Sequence, residues 1–493
     1  MAPRAKRQRQ RADPDVEASG DDDDAIRETM SKSSSSSSSM TPPSQCPYLD
    51  SISLSNLDFD FEKRCSISLS PVHVYACLTC GKYFAGRGPR TRAYEHALER
   101  GHHVYMHLDQ GTTWCLPDGY RIGPEESNAT LKRIKDVLRP RYDEERVSEL
   151  ETGGPQWRRA LDGTDFLVGV TGLNNIWQSN GRDDGMNAVV QALARVGPLR
   201  RALLLREEDE LNARRGHHQT SLFSALANLM KKMWNAKNFK GHSSPHEFLQ
   251  AVRKQSKEMF GGVKASKTAA TRPDAMQFLR WMLNELIREE KKDIAKNASL
   301  SGDISSVVEA CFQGEVEIVP EGDPDLAASS APRKTSKFLM LSMDLPAAPL
   351  FQDVMEKKII PQVSLERQLL KKFDGTKFRI TKLPEYLIVT YSRFTKNNFF
   401  VEKNPTIVTF PTRGLNIADH VPIDDVKGST TYDLIANIVH DGTPDEGSYR
   451  SMVYHASDKN WYETQDLRVS EVLPQQVSLT ETYVQIYQRR DGK

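Results

Sequence analysis

The sequence predicts an α+β fold in two folded parts, a small Cys/His-bearing module followed by a larger domain. Three observations predict it. Apolar residues recur at helical spacing between about 184 and 290, and strand-like runs then crowd the stretch from about 338 to 490. Ahead of both, a C-x2-C pair precedes an H-x5-H pair inside an aromatic-rich segment. Helices first and alternating strands later indicate an α+β arrangement rather than repeated βαβ units.

Composition bounds the reading. The 493 residues suffice for roughly two to four domains. An apolar fraction of 38% with 27% charged residues suits a soluble globular chain that carries some disordered sequence. The net charge of +1 supplies no overall field for nucleic acid. RNA contact is therefore expected to be indirect or minor. Its local support is Lys231, Lys232, Lys237 and Lys240, or Arg489 and Arg490, and such runs are usually solvated faces. No apolar run reaches the length of a membrane span and no apolar signal segment follows Met1, so no membrane contact is expected. The six cysteines (Cys46, Cys65, Cys77, Cys80, Cys115, Cys311) include one close pair. Such sparse usage fits a reducing compartment, the nucleus or cytosol, where a close pair points to metal rather than disulfide.

Residues 1–44 read as a disordered tail, with basic PRAKRQRQR, acidic DDDD at 21–24 and a serine tract. These cannot bury enough apolar surface to offset the entropy of ordering. Lys6 to Arg11 match a nuclear localisation signal, and equally a plain solvated tail. Residues 45–145 form the module, with a short helix in RTRAYEHALERGHH ending at Gly101. Residues 146–164, with Gly-Gly-Pro, read as a linker. Residues 165–493 form the larger domain. Its helices carry Val189, Leu193 and Val196; then Leu222, Leu226, Leu229 and Met233; then Phe278, Met282 and Leu286, after a start signal at Pro273 and Asp274. Strands follow in FLMLSMDL, EYLIVTYSRF, TIVTFPT, YDLIANIVH, YRSMVYHA and TYVQIYQRR.

Cys77, Cys80, His96 and His102 have the order and spacing of a tetrahedral Cys2His2 zinc site. Four protein ligands leave no position for water, so one structural Zn2+ is expected rather than a catalytic one. His103 is an alternative fourth ligand. Cys46, Cys65 and Cys115 lack paired spacing and read as buried apolar thiols. A DNA-reading finger is disfavoured by the absence of tandem fingers and of a basic recognition helix. CPYLD, VYACLTCGKYFAGRG and AYEHALERGHH instead resemble the ubiquitin-protease-type zinc finger. That resemblance implies that Arg87, in its GR dipeptide, matches a residue that contacts the free C-terminal tail of ubiquitin. Phe84 stands where many such fingers place a cysteine, which favours a structural or protein-docking role over tail binding.

The larger domain resembles the ubiquitin-specific protease domain, a papain-like fold with thumb, palm and fingers. Active members place a cysteine at a helix start, where backbone N–H groups and the helix dipole favour the thiolate. In GLNNIWQSNGRDDGMNAVVQAL the matching position is Asp184, after about four extra residues within WQSNGRDD. Aspartate is a good N-cap and a poor attacker of an amide, since its adduct would expel the carboxylate again. At the histidine of the family's GHY motif stands Ser448, which takes up no proton near neutral pH. The third position holds Gln465, followed by Asp466. His440 matches a non-catalytic position, and His455 lies seven residues too far along. Cys311 in EACFQGEVEI lacks the paired C-x-x-C motifs of the fingers subdomain and is not expected to be a relocated nucleophile. The three positions Asp184, Ser448 and Gln465 are thus read as degenerate, with no catalytic residue.

The finger, together with SSPHEFLQAV, DAMQFLRWMLNEL, WYETQDLRV and TYVQIYQRRD, resembles the inactive ubiquitin-protease homologues associated with the spliceosomal tri-snRNP. That resemblance implies a non-catalytic scaffold in pre-mRNA splicing, in the nucleus. It would support assembly or stability of the U4/U6.U5 tri-snRNP by protein contacts. A ubiquitin receptor, touching ubiquitin or a ubiquitin-like fold through Arg87, is the rival binding reading; an active deubiquitinase is the rival enzyme.

Overall fold

The computed structural model describes residues 46–175, 184–206, 221–256, 274–296, 306–318, 334–346, 361–373, 378–396, 401–421, 428–444 and 447–490. The tail 1–44, Pro273 and most of the WQSNGRDD insertion lie outside the described residues.

The module is built on a four-stranded sheet with a helix packed against it. Strands β1 (Val74–Cys77), β2 (Tyr83–Ala85), β3 (Val104–His107) and β4 (Thr113–Cys115) pair in the order β2-β1-β3-β4. Helix α1 (Arg92–Arg100) buries Ala93 and Ala97 against Tyr75, Phe84, Tyr105 and Leu116. Cys46, Cys65 and Cys115 are buried, as expected of apolar thiols.

The segment read as a linker is not a free connection. Ahead of it, still within the bounds read as the module, helix α2 (Ala129–Leu138) is capped by Asn128, whose side chain accepts from the N–H groups of Thr130 and Leu131. Helix α3 (Glu144–Thr152) is capped by Asp143 and buries Val147 in the core of the larger domain. Residues 157–159 then pair antiparallel with 165–167, and Ala160 joins the same core. The Gly-Gly-Pro that suggested a linker is only the turn between helix and strand.

In the larger domain, α4 (Asp184–Leu193), α5 (Gly197–Leu205), α6 (Leu222–Met233), α7 (His246–Gln255), α8 (Ala275–Lys296) and α9 (Val307–Phe312) precede the main sheet. All ten residues of α4 are buried, which makes it the central helix. The predicted stripes Leu222/Leu226/Leu229/Met233 and Phe278/Met282/Leu286 are core, as their spacing indicated. The sheet comprises β5 (Leu341–Asp344), β6 (Tyr386–Ser392), β7 (Thr431–Asp441), β8 (Ser448–His455), β9 (Asn460–Gln465), β10 (Arg468–Val472) and β11 (Thr482–Arg489). Their order is β5-β6-β11-β7-β8-β9-β10; residues 415–416 also pair with β7, and only the β5–β6 pair is parallel. Alternate residues feed two cores. Ile388 and Val453 face the helices, while Leu387, Val389 and Met452 join a second core on the other side of the sheet.

The finger and the helices are fused by charge. Lys240 Nζ lies 2.8 Å from Asp58 and 3.0 Å from Asp60, and Lys232 lies 3.6 Å from Asp60. Lys63 reaches Glu247 at 3.3 Å, and Lys237 pairs with Asp136. Lys231 donates to the Arg206 carbonyl at 2.6 Å, and its own carbonyl accepts from Tyr142 Oη at 2.9 Å. The lysine run read from sequence as a solvated face is therefore this joint, a correction that local sequence could not supply. Arg490 likewise pairs with Asp433, at 2.7 Å.

Two outcomes follow for the joint. Lys240→Ala leaves Asp58 without its cation and Asp60 with only the longer contact to Lys232, and should destabilise the chain by roughly 1–3 kcal/mol in urea unfolding. Lys63 holds the Glu247 carboxyl down to about 2, against 4.5 for an ordinary glutamate. A folded value below the unfolded one gives stability that is present above pH 4.5 and lost as pH falls toward 2. Thermal midpoints should fall across that window, and Glu247→Gln should flatten the decline.

Candidate functional site

Two sites emerge. In the finger, β1 ends at Cys77 and a tight turn brings round Cys80. Gly81 sits at φ 75°, with its N–H on the Cys77 carbonyl, and a Cβ there would strike the Asn56 carbonyl. His96 comes from α1, and His102 follows the glycine that ends it. The four ligand atoms lie within 4.8 Å of one another. Cys77 Sγ is 3.5 Å from His102 Nδ1, Cys80 Sγ is 3.4 Å from His96 Nε2, and the two imidazole nitrogens are 3.1 Å apart. A tetrahedral zinc with bonds of about 2.3 Å to sulfur and about 2.0–2.1 Å to nitrogen needs ligand separations of roughly 3.3–3.8 Å. The donor set fits zinc.

Cys77 donates to Cys80, which pulls the Cys80 thiol down to about 4, with His102 and His96 lowering it further, and pushes Cys77 up. A lowered thiol is the direction a metal ligand requires. His103 turns away: its Nδ1 meets the Leu116 carbonyl at 2.8 Å and its ring stacks on Tyr48. Phe84, at the position of a further cysteine in other fingers, stacks on His96 at 4.1 Å and so packs a ligand ring. Arg87 is exposed, and its Cζ lies over the Trp114 ring, 3.8 Å from the centroid. The sequence reading missed Trp114 because β4 brings it to Arg87 from 27 positions away.

The second site lies where α4 meets β8 and β9. Asp184 is 3% exposed and opens α4. Its Oδ1 accepts from the Gly185 N–H at 3.0 Å, and its Oδ2 accepts from the Tyr449 N–H at 2.9 Å. The carboxylate therefore ties the helix start to the sheet, whereas the reading from sequence had it as a cap alone. Ser448, the residue before Tyr449, accepts from Gln465 Nε2 at 3.3 Å. The three positions flagged as degenerate are thus gathered at one place.

Two asparagines there were not singled out from sequence. Asn187 and Asn175 donate to the two oxygens of Asp466, at 3.3 and 3.4 Å. Asp274 accepts from Tyr449 Oη at 2.9 Å and from Tyr483 Oη at 2.6 Å, while capping α8 through the Gln277 N–H. Of the two flanking histidines, one packs against the site and the other stands apart. His440 is buried between Phe394 and Tyr449, and Gly447 packs so closely on its ring that a Cβ would come within 2.2 Å. His455 ends β8, seven residues or about 23 Å from Ser448, and contacts the Val168 carbonyl. Burial lowers its imidazole to about 4. Cys311 is buried in α9 with its thiol pushed up to about 12 by burial.

The ubiquitin carboxyl-terminal hydrolase model matches residues 171–487, and the model of the zinc finger found in ubiquitin hydrolases and other proteins matches residues 64–127. The chain belongs to the ubiquitin carboxyl-terminal hydrolase family. The human protein named ubiquitin carboxyl-terminal hydrolase 39 is 43% identical over 478 residues, spanning 91% of this chain and 80% of the relative. A Schizosaccharomyces pombe relative named probable mRNA-splicing protein ubp10 is 35% identical over 482 residues, spanning 90% and 89%. The fold is also that of a crystal structure described as an essential yeast splicing factor. There the TM-score is 0.72 at 26% identity, covering 90% of this chain and all of that one. The hydrolase domain preceded by a zinc-binding finger, expected from sequence, is the architecture found.

The finger geometry sets a test. Purified chain should carry zinc by elemental analysis, and His102→Ala should lose most of it. His103→Ala should retain it, because that ring is committed to Leu116 and Tyr48.

Proposed function

We propose that this chain is a non-catalytic pre-mRNA splicing factor of the nucleus, acting in assembly or stability of the U4/U6.U5 tri-snRNP through protein contacts. One observation carries the non-catalytic half: the contact of the Asp184 carboxylate with the Tyr449 amide, at the place where a nucleophile and its base would meet. No thiol or imidazole takes part in that contact. Asp184 attacking an amide would form a tetrahedral adduct that expels the carboxylate again more readily than the amine, leaving the amide bond intact. Ser448 offers a hydroxyl where a proton acceptor is needed. Cys311, with its raised thiol, is neither exposed nor ionised near neutral pH. The splicing half is supported by the names of the relatives, which extend over both domains. The four finger ligands hold a single structural zinc, and the finger with its fused helices serves as a docking body for spliceosomal proteins.

The reading has a direct test. A ubiquitin probe with a C-terminal electrophile should label neither the wild-type chain nor Asp184→Cys, since the variant still lacks a base at 448. The tagged chain recovered from nuclear extract should bring down tri-snRNP proteins. A labelled wild-type adduct would overturn the non-catalytic half, and recovery without splicing proteins would overturn the other.

A further inference from the structure

The two outer strands of the main sheet are finished differently. At β5, Lys372 Nζ donates to the Ser342 carbonyl at 3.3 Å and to Asp344 at 2.7 Å. A lysine at a sheet edge is one of the usual means of keeping further strands off it. At the other side β10 ends the sheet, pairing with β9 alone. It runs Arg468–Val472 without lysine, proline or glycine, in unbroken register with β9.

Which backbone groups β10 leaves open follows from its turn. Gln465 and Arg468 pair across a two-residue loop, so they exchange both of their hydrogen bonds. Alternation makes Glu463 and Ser470 the next such pair, and turns the N–H and C=O of Val469 and Glu471 away from β9. Among the described residues no backbone donor or acceptor meets these four groups. The N–H of Leu473, next in the same phase, goes to Gln476 Oε1 at 2.8 Å and closes the opening there.

The side chains along the opening are mostly apolar. Val469, Glu471 and Leu473 alternate onto one face, with Leu467 in the turn before them. Leu467 is 53%, Val469 36% and Leu473 63% exposed. Glu471 is exposed too, and no cation of the described residues pairs with it. Open backbone groups are matched by another backbone, which side chains alone do not require. We propose that β10 takes an extended segment of a partner protein as a further strand, with aliphatic residues over Val469 and Leu473 and a lysine or arginine opposite Glu471. A second copy of this chain does not meet that description. Residues directly opposite one another share a face, and Arg468 lies on the other face from Glu471. In an antiparallel pair of β10 strands Glu471 would therefore meet Leu467, Val469, Leu473 or itself, and no cation. Strand addition needs only the sheet edge, so a ubiquitin-probe adduct, or a recovery without splicing proteins, would leave it standing.

A capped nine-residue peptide added to the full chain tests it, with valine, lysine, valine and valine alternating between threonines so that the lysine falls opposite Glu471. Fluorescence anisotropy of the labelled peptide should saturate, and the Val469 and Glu471 amides should exchange their hydrogens more slowly in its presence. Glu471→Pro removes one outward N–H and no bond to β9, and should weaken binding about tenfold. Glu471→Lys keeps the backbone and reverses the charge. It should prefer, by roughly twofold to fivefold, a peptide with glutamate in place of lysine, and it decides the matter if the proline variant does not fold. Absence of saturation up to about 1 mM peptide would mean that the edge takes no strand. Unchanged affinity in Glu471→Pro, or an unchanged preference in Glu471→Lys, would place the peptide elsewhere. A concentration-dependent dimer in sedimentation, lost in Glu471→Pro, would give the edge to a second copy. Each of these three results overturns the proposal.

Discussion

The rest of the structure depends on a carboxylate that bridges a helix and a sheet. Asp184 opens the most deeply buried helix and accepts the Tyr449 amide from β8. Tyr449 passes the constraint on: its hydroxyl, with that of Tyr483, ends on Asp274, which caps α8. Two carboxylates thereby fix two helices to two strands with charge-assisted bonds, the stronger kind. A buried amide stripped of its acceptor costs about 1–3 kcal/mol. Each of these groups therefore constrains what its neighbours can be. A cysteine at 184 would offer a weak acceptor where the fold has a strong one. In this chain architecture and chemistry compete for the same position.

The same logic applies at the joint between finger and helices. Asp58, Asp60 and Glu62 face Lys232, Lys240 and His246, with Lys63 answering Glu247 in the opposite sense. Isolated surface pairs contribute little, but here several charges share one partly buried patch. Neutral contacts reinforce it, such as Asn235 Nδ2 on the Asp136 carbonyl at 2.9 Å and Arg133 over the Phe239 ring. Finger and protease-like domain therefore form one body, so a partner held by one is positioned relative to the other.

How much was legible in the sequence follows from the range of each interaction. Helix stripes and strand alternation are local, so the buried faces of α4, α6 and α8 and the strands of the main sheet could be read directly. The Cys77, Cys80, His96 and His102 cluster could be read because its spacing is itself the signal. The choice between His102 and His103 could not, since it turns on Leu116 and Tyr48, distant in sequence and adjacent in space. The lysine run was misread for the same reason: its acids lie more than 90 positions upstream, and a charge run looks identical whether water or aspartate faces it. Residues 146–164 were misread because one Gly-Gly-Pro turn outweighed the apolar Val147 and Ala160, whose burial depends on the other domain.

A hydrolase centre needs a nucleophile that is open to substrate and a base free to move a proton, and both requirements keep polar groups unsatisfied until substrate arrives. Around Asp184 the reverse holds. Tyr449 is drawn in, Ser448 and Gln465 are bonded to each other, and Asn175 and Asn187 are spent on Asp466. Each bond made there removes a group that a substrate would otherwise engage. The cost of an open centre is converted into contacts between α4 and the sheet, the seam that has to hold if the chain works as a rigid docking body. A protein that must present fixed surfaces to large partners gains from such a seam. An enzyme of the same fold cannot have it, because the closed seam and the working centre occupy one place.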